Sequence, residues 1–212
     1  MGADQSAFEQ PLYPQSKDPI CATEPRFCLP QTVQLRLREK LWSFSGDDFK
    51  ITDASNREFV YFQCQGRVFS LREKKVLRDN MGVPVLNMKE QLFSFTDKFK
   101  VYAGEHSDRE ICKFNSKLTF FKAKLSSQFI DVISGRPRLI TLKGDWREKR
   151  CVIYLGEPKQ GGIPIARIFR PLTGRSLLFG VDDYIIEIAG GVDIALAVIM
   201  CIALDEHSRD SN

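Results

Sequence analysis

Residues 192–204, near the C-terminus, restrict what this chain can fold into more than any other stretch. Only Asp193 in that run is polar; Gly190-Gly191 precedes the run and Asp205-Glu206 ends it. A helix apolar on every face must be buried on every face. At 1.5 Å per residue the run reaches about 20 Å, short of a ~30 Å hydrocarbon core. Extending it backward meets Asp193, two glycines and Glu187, so it does not become a membrane span. Protein must therefore surround it. A helix is about 10–12 Å across with its side chains, too thick for an eight-stranded barrel filled by its own residues, whereas a can of eleven or more strands holds a central helix.

The preceding text supplies such a wall. From Thr32, the residues Val33, Leu35 and Leu37 alternate with Gln34, Arg36 and Arg38, the period of two that turns one side of a strand inward. Short runs of similar character follow at 47–53, 58–65, 67–71, 74–78, 84–88, 91–95, 98–103, 110–114, 118–122, 127–133, 138–143, 150–155, 162–169 and 183–188. Turn residues separate them, the pattern of an antiparallel meander in which about a dozen strands survive merging. The expected fold is mainly β: a closed antiparallel barrel of about twelve strands enclosing the hydrophobic C-terminal helix, with no exposed edges. Five of the ten prolines fall in residues 1–30, read as an irregular tail before a barrel domain at 31–206 and a polar tail at 207–212.

At 212 residues, 43% hydrophobic and 27% charged, the chain has enough core for one domain without disulfides or metals. A net charge of +4, spread along the chain, is too weak to point to nucleic acid. Six cysteines without CxxC spacing, and no signal-like start, are read as reduced thiols of an intracellular, cytoplasmic chain.

Four pieces, in order, carry a resemblance: Phe44-Ser45-Gly46-Asp47-Asp48-Phe49-Lys50-Ile51-Thr52-Asp53; Val76-Leu77-Arg78-Asp79-Asn80-Met81-Gly82-Val83-Pro84-Val85-Leu86; Leu142-Lys143-Gly144-Asp145-Trp146; and Phe179-Gly180-Val181-Asp182-Asp183-Tyr184 leading to Gly191-Val192-Asp193-Ile194-Ala195 and Ala203-Leu204-Asp205-Glu206. From about Pro25 to Glu206 the chain resembles the LURP-one-related family, departing from its usual glycine in the turn near Ser55-Asn56. The resemblance implies the fold shared with tubby C-terminal domains and, more distantly, phospholipid scramblases. It also implies a non-enzymatic peripheral membrane or signalling module, linked in plants to defence, that binds anionic lipid such as a phosphoinositide, or a protein partner. A calcium-dependent, scramblase-like lipid transporter is the alternative.

No catalytic elbow, metalloprotease, phosphate-loop or dinucleotide motif is present, so no catalytic residue and no cofactor is expected. Gly2 and Ser6 fit an N-myristoylation start, with Cys21 and Cys28 as candidate second acyl acceptors. Basic residues fall in local groups, among them Lys74 and Lys75, then Lys113, Lys117, Lys122 and Lys124. Around one indole, Lys143, Trp146, Arg147, Lys149 and Arg150 form the best sequence match to a headgroup surface at the inner face of the plasma membrane. Asp182, Asp183 and Asp193 are the candidate calcium ligands, although Asp193 also suits a helix cap.

Overall fold

The computed structural model describes residues 8–39, 47–66, 74–91, 97–119, 122–170 and 183–210. Of the expected runs, 67–71 and most of 91–95 lie outside them. Twelve strands close in sequence order into one antiparallel barrel: β1 (Val33–Glu39), β2 (Asp47–Asp53), β3 (Val60–Gly66), β4 (Lys74–Asp79), β5 (Pro84–Glu90), β6 (Asp97–Ala103), β7 (Glu110–Thr119), β8 (Lys122–Ile130), β9 (Pro137–Asp145), β10 (Arg150–Leu155), β11 (Ile163–Phe169) and β12 (Asp183–Ile188). Pairing of β1 with β12, from Val33↔Ile188 to Arg38↔Asp183, closes the wall. The expected barrel of about twelve strands is the one observed.

Helix α1 (Ile194–Asp210) fills it, and residues 194–204 are each at most 3% exposed. Inward residues of the strands, including Leu35, Leu37, Phe62, Leu86, Phe99 and Phe114, meet alanines 195, 197 and 203 of the helix in one core cluster. Large wall residues and small helix residues share that cluster, the complementary sizes that close packing requires. The helix runs past the apolar stretch because the polar residues that end it find partners. Asp205 accepts hydrogen bonds from Tyr184 Oη at 2.9 Å and Lys149 Nζ at 2.5 Å, and Glu206 lies 3.5 Å from Lys75 Nζ. No helix among the described residues is long and apolar enough to cross a membrane.

The proline-rich N-terminal segment has almost no regular structure, yet it covers the barrel end from which α1 starts. Ile20 bridges Val192 and Cys28 bridges Asp193. Three buried carboxylates hold the segment in turn. Asp131 accepts from Cys21 N at 2.9 Å; Asp193 accepts from Ala22 N, Thr23 N and Thr23 Oγ1 at 2.8–3.0 Å; Asp79 accepts from Arg26 Nη1 at 2.8 Å. Gly190-Gly191 permits the close approach: a Cβ on Gly190 would lie 2.3 Å from Pro30 O, and Gly191 has φ +81° and would meet Gln15 C at 2.6 Å.

Replacing Leu196 by Asp places an unpaired carboxylate in this core, a cost of several kcal/mol against a total stability of about 5–15. The variant should give insoluble protein with no cooperative melt by circular dichroism. A second expectation concerns acid. Burial of Asp131 and Asp79 opposes their charge, but the hydrogen bonds they accept outweigh it, and both carboxyls lie below the usual 3.8. Their stabilisation is thus present above that value and lost as pH falls through the depressed folded values. On acidification below 3.8 the amide signals of Cys21 and its neighbours should change by NMR before those of the barrel strands.

Candidate functional site

The β9–β10 hairpin is half structural. Trp146 is only 5% exposed and packs edge-on to Tyr184 with ring centroids 5.6 Å apart. Lys149, in the left-handed region at φ 49°, turns inward, its Nζ 3.8 Å from the Trp146 ring centroid and bonded to Asp205. Burial, with the Asp205 charge beside it, pushes the Tyr184 hydroxyl well above its ordinary pKa, so it stays a donor. The expected outward-facing indole is therefore corrected: Trp146 fills the barrel mouth and Lys149 neutralises a helix carboxylate. Arg147 and Arg150 remain exposed, Lys143 is half-buried, and Arg150 stacks 4.6 Å over the Phe8 ring.

The acidic set is not brought together. Asp193 caps the helix, accepting from Ala195 N and Leu196 N at 3.0 and 3.2 Å through Oδ1, while Oδ2 holds the N-terminal segment. Asp183, at the start of β12, pairs with the buried Arg36 and with Arg38. Tyr184 next to it touches the far part of α1, so Asp183 and Asp193 sit toward opposite barrel ends. Asp182 and Gly2 lie outside the described residues. Among the described residues no group of three or more His, Cys, Asp or Glu side chains can hold a metal. Cys21 is fully buried, out of reach of an acyl donor in this fold.

What the sequence did not reveal is a register. Lys74 pairs with Lys89, Lys89 with Lys100 and Lys100 with Lys113, an unbroken cross-strand row over four strands. A second row joins Lys117, Lys124 and Lys143 across β7–β9. Directly opposed like charges destabilise a sheet, with Cβ atoms only about 4.5–5.5 Å apart. Here Glu110 lies 3.6 Å from Lys100 and 3.9 Å from Lys113, Lys74 bonds the Glu105 carbonyl, and Lys89 sits 6.0 Å over the Tyr102 ring. One carboxylate shared between two ammonium groups leaves that part of the row cationic. Lys89 and Lys100 escaped the sequence reading because each is an unremarkable residue of its own strand; only the closed ladder aligns them.

Fold and surface together define a helix-filled, plugged β-barrel with a lysine-lined outer wall. The chain belongs to the LURP-one-related family, whose profile matches residues 33–205. Protein LURP-one-related 15 of Arabidopsis thaliana is 28% identical over 223 residues, covering 96% of this chain and 98% of its own length. Protein LURP1 of the same plant is 23% identical, covering 91% and 92%, and the uncharacterized protein YxjI of Bacillus subtilis (strain 168) is 26% identical, covering 82% and 92%. An X-ray structure of an Arabidopsis thaliana protein shares the fold, with a TM-score of 0.61 and 22% identity over 88% of this chain and 98% of that one.

The hairpin's division of labour can be checked by mutation. Lys149→Ala leaves the buried Asp205 carboxylate without its cation and should cost about 3–5 kcal/mol, whereas Arg147→Ala should change stability by less than about 0.5 kcal/mol. Urea unfolding of the two variants gives the comparison.

Proposed function

We propose that this chain is a non-enzymatic peripheral module that binds anionic lipid headgroups, phosphoinositides in particular, on its outer wall. The observation that carries this reading is the row Lys74, Lys89, Lys100 and Lys113 in direct cross-strand register. Such a row is unfavourable in the free protein and is relieved when an anionic surface meets it. Each Lys near such a surface contributes about 1 kcal/mol, an attraction that salt weakens. The exposed Arg147 and Arg150 add to the same sign of charge near the mouth where α1 ends. The first described residues lie close by, since Phe8 packs against Phe169 and under Arg150. A myristoyl group on Gly2 would then be a weak first anchor completed by Arg147 and Arg150, because one such chain gives only marginal binding by itself. The place of work that follows is the inner surface of the plasma membrane.

Replacing Lys89, Lys100 and Lys113 together by Gln should weaken binding to phosphoinositide-containing vesicles on the order of a hundredfold at low salt. The melting temperature should hold or rise, because the substitutions remove opposed like charges. Vesicle co-sedimentation over a salt series is the measurement, and unchanged binding would sink the lysine wall as the contact. Mass spectrometry of protein made beside an N-myristoyltransferase, wild type against Gly2→Ala, tests the lipid anchor separately.

A further inference from the structure

Among the described residues, the large apolar side chains left exposed all lie at the plugged end of the barrel, in or beside the turns around the N-terminal segment. Met81, in the β4–β5 turn, stands furthest out at 79% exposed, with Val83 beside it at 46%. The turn that carries them is pinned. Asp79 Oδ1 accepts from Met81 N and Val83 N at 3.0 and 2.9 Å, while Oδ2 of the same carboxylate accepts from Arg26 of the plug at 2.8 Å. Met81 is thus an apolar, unbranched and polarizable knob on a fixed support. Burying it against a partner would cost little ordering of the backbone behind it.

A hole lies next to the knob. Between the start of β5 and the β6–β7 loop is a cleft of about 350 Å³, with Pro84, Val85, Ala103 and Ile111 in its lining and the exposed Glu24, Asp108 and Arg109 at its rim. Its second wall is as fixed as the first. Asn87, fully buried, donates through Nδ2 to the carbonyls of Gly104 and His106 at 2.9 Å and accepts from Ser107 Oγ at 3.0 Å. Asp108 and Arg109, adjacent and opposite in charge, make no side-chain hydrogen bond or ion pair with the described residues. One face therefore presents a knob, a hole, an unpaired acid and an unpaired base.

Such a face is complementary to itself. A two-fold axis sets each feature of one copy against its opposite on an identical surface, which is the requirement for a closed dimer. An anionic surface suits it poorly, because Glu24 and Asp108 stand on the rim. We propose that the plugged end is the interface of a homodimer: Met81 of each copy enters the cleft of the other, against Pro84, Val85 and Ile111, and Asp108 of each pairs with Arg109 of the other. Removal of Met81 and Val83 from water drives the association, and the two reciprocal ion pairs fix its register. The dimer does not depend on what the lysine wall binds.

Sedimentation equilibrium of the full chain over a concentration series is the test. The wild type should approach twice the 24.2 kDa chain mass as concentration rises. Met81→Glu should weaken association on the order of a hundredfold, because the knob becomes a charge facing an apolar cleft, with the circular dichroism melt unchanged. Asp108→Arg and Arg109→Asp should each weaken it about tenfold or more by setting like charges across the axis, and an equimolar mixture of these two variants should dimerise again, since each then meets its opposite. Only a second copy of this chain predicts that rescue. A wild type that stays monomeric at about 100 µM overturns the inference. So does a dimer indifferent to Met81→Glu and to both charge reversals, which would lie on another face, and so does a mixture that remains monomeric. A monomeric wild type whose binding to neutral phosphatidylcholine vesicles is lost in Met81→Glu would assign the face to a membrane and overturn the dimer as its occupant.

Discussion

Everything in this molecule follows from a helix that has no polar side. Residues 194–204 are buried all round, and a helix of that kind needs apolar neighbours over its full circumference. A flat sheet or a two-layer sandwich leaves one side wet. A wall of twelve strands closed by β1 against β12 does not, and it removes both sheet edges in the same step.

Closing the wall solves the sides of the helix but not its ends, and the two ends are treated differently. At the start, free N–H groups meet Asp193, which also accepts from the N-terminal segment, so one carboxylate joins helix and plug. Burial raises the pKa of that carboxyl while hydrogen bonds from Thr23, Leu196 and Ala22 pull it down. At the other end Asp205 and Glu206 are drawn into the mouth by Lys149, Tyr184 and Lys75. Charged residues so enclosed are tolerable only when paired, which is why Trp146 and Lys149 serve the interior instead of a membrane.

With the interior filled, the outward side chains of the strands are what the barrel presents to its surroundings. The strands carry lysines aligned by register, and the turns at the plugged end expose aliphatic groups. Opposed like charges and exposed aliphatic groups are each mildly unfavourable in isolation.

The sequence alone determined the class of fold, for a physical reason: period-two alternation and an all-apolar helix are local patterns with few global solutions. Val33, Leu35 and Leu37 announced the first strand, the Gly190-Gly191 pair and Asp193 marked the helix entry, and the family resemblance was legible in ordered fragments. Only tertiary structure decided the sites. Whether Lys149 faces water or Asp205 depends on a helix end 56 residues away. That Asp131, Asp193 and Asp79 hold the residues around Cys21, Thr23 and Arg26 depends on contacts spanning 110, 170 and 53 residues. Register is the clearest case. Lys74, Lys89, Lys100 and Lys113 are ordinary outward residues on four strands, and a slip of one residue in any pairing would scatter them.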